Sequence, residues 1–395
     1  MTKIRILFVT TDLTTGGAEV MLYRLLMRLD KSRFEPVVLS LLDGGEWQSR
    51  VEALGVRVHS LGMKRGLPNP KQVWQLVQLV KRIYPDVIQG WMYHGNIAAS
   101  LAALAFPRPV IWCIQNTTEL QYEKPLTAAL IRAGKFFSKL TASIVYVSHG
   151  AQQQHELMGY SASQGCAIAN GCETDRFFPN PSARLAIRME LGLDLDTPLI
   201  GLMARFHPMK DQATFLTAAA HMNRHYPEVH YVMAGSDITP ENAALMAQIE
   251  ALNLGDRVHL LGIRQDTDRI AAALDLFSLS SAYGEALPLV LGEAMACCTP
   301  CVATDVGDSA RVIGNTGRIV PPQDPVALAK AWTEILTMEP GDRAALGQAA
   351  RDRIIEMFDI EAVVAQYERL YTQVLTGEEF DPRAIGLDCA PSLGI

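Results

Sequence analysis

Short apolar runs alternate with helix-period segments along nearly the whole chain. Ile4 to Val9 is the first run, and Val37 to Leu41, Val56 to Leu61, Val87 to Gln89, Val110 to Ile114 and Ile144 to Val147 follow it. Helical patterns such as Lys71 to Ile83 and Ala98 to Ala105 lie between them. Short apolar runs separated by helices read as strands of a parallel sheet, whose faces are both covered because each crossover lays a helix on one of them. A stretch with Pro179, Pro181 and Pro198 then breaks the pattern and reads as a linker over 176–197. The alternation resumes in Leu199 to Ala204, Val229 to Ala234, Val258 to Leu261, Leu276 to Ser280, Cys301 to Thr304 and Arg318 to Val320. The chain therefore reads as α/β, with two Rossmann-like doubly wound domains in tandem over 1–175 and 198–358. A helix over 359–378 is expected to return to the first domain, and 379–395 reads as an irregular tail.

Composition sets the class. With 49% hydrophobic and 19% charged residues, the chain can build sizeable cores and is not disordered. The run Ile6 to Val9 is too short for a signal peptide, and no window holds 18 uninterrupted apolar residues, so a cytoplasmic protein is expected. Seven cysteines, an odd number, do not make a disulfide framework. Cys297-Cys298-x-x-Cys301 has no fourth metal ligand at a defined spacing nearby, so these read as reduced core thiols. The net charge of −7 averages a first half (1–175) at +5 and a second half (176–395) at −12.

Doubly wound domains bind ligands beyond the carboxyl ends of their strands, so the chemistry is sought there. Thr15-Gly16-Gly17-Ala18-Glu19 follows the first strand. Its glycines let a ligand approach the backbone at a helix start, where free N–H groups favour anions. It is not Gly-x-Gly-x-x-Gly, so the dinucleotide fingerprint is absent. Arg205 and Lys210 follow the first strand of the second domain, and two cations at such a junction suit a diphosphate. Gly284 to Glu293 follows a later strand. Pro288 reads as an early helix position, leaving N–H groups near Leu289 and Val290 as donors. Glu285 and Glu293 flank them, and two carboxylates beside a phosphate site make sense when they bind sugar hydroxyls.

The run Ser280-Ser-Ala-Tyr-Gly-Glu285 through Glu293-Ala-Met-Ala-Cys297 to Ala303-Thr-Asp305 resembles the signature of glycosyltransferase family 4. Gly16-Gly17-Ala18-Glu19, Ser148, Asn170-Gly171, Phe177, Pro179, Arg205, Lys210, Ala234-Gly235-Ser236 and Leu261-Gly262 extend the match over nearly the whole chain. The resemblance implies the GT-B fold, with two Rossmann-like domains facing across a cleft. It also implies an anomer-retaining, hexosyltransferase-type enzyme using a nucleotide-diphosphate sugar, expected to be UDP-linked. Arg205 and Lys210 would hold the diphosphate and Glu293 the ribose. Glu285 would face the donor sugar, and the N–H groups of Ala286, Leu287, Leu289 and Val290 would contact sugar and phosphate. Gly235 belongs to the matched donor site, Ile263 and Arg264 would hold the base, and Gly17, beside Gly16, would approach the diphosphate. The acceptor falls to the first domain and is expected to be a glycan or lipid-linked glycan in surface polysaccharide assembly. A non-catalytic nucleotide-sugar-binding module and a GT-B sugar-nucleotide isomerase are the rival readings.

The chain also departs from the family pattern. Many relatives carry a His where the strand Val110 to Ile114 here ends in Gln115-Asn116. Asn116 is the candidate for that sugar contact, and His94 the substitute cleft histidine. Cys298 stands where Gly is usual, which is strained if φ there is positive. Asp308 replaces a second Gly. Asp194-x-Asp196 and Asp266-x-Asp268 fit a metal-binding spacing, but the first reads as linker and the second as a helix cap, so no required metal is expected. No cofactor beyond the donor and no nucleic acid is expected. The stretch Lys124 to Gly150 holds Lys124, Arg132, Lys135 and Lys139, no Asp or Glu, and Leu126, Leu130, Ile131, Phe136, Phe137 and Leu140. Such a basic amphipathic segment can lie on an anionic membrane surface, which makes the inner face of the membrane an expected partner through residues 124–140.

Overall fold

A computed structural model describes residues 3–14, 16–64, 66, 69–117, 120 and 123–377. Thr15 and the expected tail over 379–395 lie outside the described residues. The chain divides into two compact units, Met1–Gly171 with Ile360 onward, and Cys172–Asp359.

The first unit holds strands β1 Ile4–Thr10, β2 Phe34–Ser40, β3 Arg57–Ser60, β4 Val87–Trp91, β5 Val110–Ile114, β6 Ser143–Tyr146 and β7 Gly165–Ala167. They form one sheet in the order β3-β2-β1-β4-β5-β6-β7, parallel throughout. β1 shows why its run is apolar on both faces. Ile6 and Phe8 face one buried cluster, and Leu7 and Val9 face the other. The helix Ile360–Thr376 belongs to the first of these clusters through Ile360, Val363, Val364, Tyr367, Leu370 and Tyr371.

The second unit holds β8 Leu199–Met203, β9 His230–Ala234, β10 Val258–Leu260, β11 Leu276–Leu279, β12 Cys301–Thr304 and β13 Gly317–Val320. Their order is β10-β9-β8-β11-β12-β13, again all parallel. Both sheets thus grow one way from their first strand and then reverse. The reversal lies between β1 and β4 in the first unit and between β8 and β11 in the second. Such switch points leave a crevice at the strand ends, where ligands bind.

The stretch 176–197 is not a linker. It contains the helix Pro181–Glu190, with Pro181 in its first turn and the Asn180 side chain accepting from the Ala183 N–H at 3.0 Å. Pro181 starts a helix rather than breaking one, since its fixed φ suits the first helical position. Arg188 on that helix is fully buried, and its guanidinium donates to Asp275 Oδ2 and to the carbonyls of Asp194 and Thr197. The segment is therefore part of the second unit, whose boundary falls at Gly171/Cys172 rather than near 197.

Candidate functional site

At the β8/β11 switch point, two loops are fastened to each other. Arg205 to Lys210 leaves β8, and Ser280 to Glu285 leaves β11. The Ser280 hydroxyl donates to the Lys210 carbonyl at 2.9 Å, and the Ala282 N–H donates to the Met209 carbonyl at 2.9 Å. Gly284 has φ +77°, and a Cβ there would overlap Met209 Sδ. The Lys210 ammonium is paired with Glu285 Oε1, and the Ser281 hydroxyl donates to the same oxygen at 2.6 Å. Glu285 is only 7% exposed. Arg205, by contrast, is exposed and forms no ion pair among the described residues; its carbonyl accepts from Gln212 Nε2 at 2.8 Å. His207, in the same loop, titrates below the usual histidine range, first through burial and then through Arg205 and Lys210.

The helix Leu289–Ala296 starts next to this pair. Pro288 is its N-cap rather than its first residue, and no side chain caps it. Its first-turn donors therefore face outward beside the dipole's positive end. Leu289 and Val290 are half-buried, while Ala286, Leu287 and Glu293 are buried. The Asp308 N–H donates to the Ala286 carbonyl at 2.9 Å, which pins the loop from below. Asp308 has φ −89°, so this position does not need Gly. Cys298 does adopt φ +58° and carries the strain that the missing Gly implied.

Gly235, at the end of β9, has φ +148°, and its Cβ would overlap the Ala204 carbonyl. Only glycine lets this strand end close on the Arg205 loop. Its N–H donates to the Gly262 carbonyl at 2.7 Å, which brings Ile263 next to the same strand end. Ile263 is 68% exposed. Arg264 is different. Its guanidinium forks onto Asp266 at 2.8 Å and Glu190 at 2.5 Å, which hold its pKa above the usual value. Its side chain is thus committed to carboxylates. Asp266 sits at the N-cap position of the helix Thr267–Ala273 but makes no capping bond, because its carboxylate is spent on Arg264 and Arg269. Asp268 pairs with Arg176 at 3.0 Å.

The first unit's switch point is built differently. Gly16 is the N-cap of the helix Gly17–Arg28, with no side chain capping it, and Gly17 is exposed. The Glu19 carboxyl folds back over Gly16 into the space a Cβ would take. Burial, reinforced by the charge of Asp12, pushes that carboxyl up to about 7. His94 is the third residue of the helix Met92–Ala105, directly after β4, and burial lowers its pKa. Gly95 allows the close crossing of this helix over β1, since a Cβ would overlap the Val9 carbonyl. Asn116 is half-buried just past β5. Its neighbour Gln115 is buried, with Nε2 donating to Cys113 Sγ at 3.1 Å and Oε1 without a partner among the described residues.

Ser281 and Glu19, inside the quoted motifs, and His207, between Arg205 and Lys210, carry no role in the sequence alone. The signal for Ser281 was a serine pair directly after a buried strand, a place where hydroxyls face a crevice. Among the described residues, no group of three His, Cys, Asp or Glu side chains is arranged to hold a metal ion. No described helix is long and apolar enough to cross a membrane.

Two family models match the chain, Glycosyltransferase Family 4 over residues 15–176 and Glycosyl transferases group 1 over residues 184–353. The alpha-maltose-1-phosphate synthase of Mycolicibacterium smegmatis is 31% identical over 313 residues, covering 73% of this chain and 79% of that enzyme. N-acetyl-alpha-D-glucosaminyl L-malate synthase of Bacillus anthracis is 35% identical over 142 residues, a match spanning 35% of this chain and 37% of that enzyme. The crystal structure of HepE from Anabaena in complex with UDP-glucose has a TM-score of 0.81 at 22% identity, covering 94% of this chain and 100% of that one. The fold is that of the GT-B glycosyltransferases. The chain belongs to family 4 of the glycosyltransferases.

Proposed function

We propose that the protein transfers a hexose from a UDP-linked sugar to a glycan or lipid-linked glycan, with retention at the anomeric carbon, in surface polysaccharide assembly. The observation that carries this reading is the meeting of Lys210 and Glu285 at the β8/β11 switch point, beside the exposed Arg205 and an uncapped helix start. Breaking a glycosyl–phosphate bond leaves negative charge on the diphosphate. Arg205, Lys210 and the N–H groups of Leu289 and Val290 are the groups that would meet that charge, and donors placed on developing charge lower the barrier. Glu285 and Glu293 would accept hydroxyls of the sugar and the ribose. Ile263 and the backbone of Arg264 would take the base. In the first unit, the backbone of Gly16 and Gly17 and the side chains of His94 and Asn116 are the candidates that the family resemblance offers for donor contacts. The phosphate charge is met by cations of the chain itself, so the proposal requires no metal. The UDP-glucose complex of HepE supports a uridine base.

The test is a thermal-shift panel of UDP-, GDP- and ADP-sugars, since a ligand that binds only the folded state raises its melting temperature. UDP-sugars are expected to raise it most. A panel in which no nucleotide sugar moves it contradicts the proposal.

For the acceptor side, we propose a peripheral site on the cytoplasmic face of an anionic membrane. The helix Pro125–Phe137 buries Ala128, Ile131 and Gly134 and exposes Arg132, Lys135 and Phe136. Lys139 and Leu140 continue that exposed face, and Phe136 and Leu140 are each 66% exposed. Leu140 and Leu104 also line a shallow apolar cavity of about 420 Å³ that opens at the amino end of β5, away from the strand ends discussed above. Exposed apolar side chains ringed by cations fit a bilayer surface. Co-sedimentation with anionic vesicles is expected at low salt and should be lost in Lys135→Glu/Lys139→Glu. Equal pelleting with neutral and anionic vesicles contradicts this part.

A further inference from the structure

Two donors converge on one oxygen at the β8/β11 switch point. The Lys210 ammonium and the Ser281 hydroxyl both reach Glu285 Oε1, the hydroxyl at 2.6 Å. In the proposed reaction, Lys210 must also serve the diphosphate. Its side chain cannot give its full charge to both. Arrival of the donor draws the ammonium toward phosphate and strips a buried carboxylate of its cation. A buried carboxylate that loses its counter-ion is costly, and its remaining hydrogen bonds then have to hold it in place.

We infer that Ser281 is a positioning residue that keeps Glu285 in place while Lys210 passes from this carboxylate to the donor's diphosphate. The inference rests on the reading of Lys210 as a phosphate ligand. The surrounding bonds fit such an exchange. The Lys210 main chain is anchored, because its carbonyl accepts from the Ser280 hydroxyl at 2.9 Å. Only the flexible side chain has to swing, and a lysine stem with a point charge at its tip suits that motion. Ser281 does not move with it. It is fully buried, and its carbonyl accepts from the Thr304 hydroxyl at 2.6 Å, at the end of the neighbouring strand β12. Thr304 is fully buried too. Glu285 is therefore tied to the sheet through Ser281 and to the mobile cation through Lys210. Released from the cation and still held by the hydroxyl, its carboxylate is available to a sugar hydroxyl in an unchanged position.

The experiment compares the wild type with Ser281→Ala, Ser281→Thr and Ser281→Cys. The readouts are calorimetric affinities for UDP, UDP-glucose and UDP-N-acetylglucosamine, and UDP release from the two sugar nucleotides in water. Ser281→Ala is expected to bind UDP within about threefold of wild type. It should lose the affinity that the sugar adds over UDP and hydrolyse the donor roughly 10–100-fold more slowly, as for a lost hydrogen bond to a charged group. Ser281→Thr should restore most of the rate, and Ser281→Cys, nearly isosteric with a weak donor, should fall between. Two results overturn the inference. One is an unchanged hydrolysis rate in Ser281→Ala and Ser281→Cys. The other is a parallel loss of UDP affinity, sugar-nucleotide affinity and melting temperature that the threonine does not recover. A wild type that binds none of the three ligands overturns the functional proposal as well. A wild type that binds and hydrolyses the donor while all three variants match it overturns the inference alone.

Discussion

At the β8/β11 switch point a lysine is already tied to a buried carboxylate, whereas at the β1/β4 switch point a carboxylate folds over glycine with no ion pair among the described residues. The topology around the two points is the same. The difference lies in what the loops carry. In the second unit, opposite charges from separate loops meet, and each lowers the cost of burying the other. In the first unit, Glu19 has no cation among the described residues to offset its burial, which raises its carboxyl to about 7 and weakens its charge. A site for a diphosphate needs fixed positive charge, and the second unit has it at one strand end despite the net −12 of residues 176–395. Residues 1–175, at net +5, carry cations elsewhere, among them Arg132, Lys135 and Lys139 along an exposed helix face. Net charge per domain therefore misleads, and placement relative to strand ends decides.

The largest expected effect separates the two points directly. Lys210→Ala or Arg205→Ala should lower turnover on the order of 10²–10³-fold, the size seen when a donor to a developing anion is removed. His94→Asn, at the other point, should lower it less. Nucleotide release in single-turnover assays measures all three, and a reversed order breaks the comparison. Next come the glycines. Gly95→Ala drives a Cβ into the Val9 carbonyl, and Gly307→Ala (φ +59°) drives one into the Glu285 carbonyl. Each should cost about 1–3 kcal/mol of stability, as overpacking does, measured by denaturant unfolding. Only the second should also disturb donor affinity.

A smaller effect concerns Glu19. Its folded pKa, about 7, lies above the unfolded value near 4.5. A raised carboxyl pKa means the folded state holds a proton that the unfolded state gives up. Its contribution is most favourable below pH 4.5, and stability is lost as pH rises through about 7. Glu19→Gln removes that dependence. Melts at pH 5 and pH 8 should show the variant gaining on the wild type at the higher pH by about 1–2 kcal/mol, discounted because the side chain is only half-buried. A gap that does not widen contradicts this account of Glu19. The smallest effect is at Cys298, whose φ of +58° suits glycine. Cys298→Gly should gain about 1 kcal/mol by relieving left-handed strain.

Much of this was legible in the sequence because it rests on local pattern. Buried strands need apolar runs, and cations next to a strand end need no tertiary information to be noticed. Arg205 and Lys210 are legible that way, and Lys210 does meet the carboxylate of Glu285. Other features depended on partners far along the chain. The family resemblance gives Arg264 to the base, but Glu190, from the stretch 176–197, holds its guanidinium. Asp266 looked like a cap, but two arginines outcompete a backbone N–H for a carboxylate. Pro181 was read as a breaker because starter and breaker prolines look alike until the next turn is packed. The core role of the last helix rests on bonds such as Tyr371 Oη to Gln89 Oε1 at 2.5 Å, which no local pattern shows.

The central claim is that the second unit's switch point holds the donor's diphosphate through Arg205 and Lys210. Calorimetric titration of UDP into the wild type, Lys210→Ala, Arg205→Ala and His94→Asn at one salt concentration tests it most directly. Each of the first two variants should bind UDP at least about tenfold more weakly, the loss of one charge-assisted bond, while His94→Asn stays near wild type. Equal affinity in the wild type and both cation variants would contradict the account.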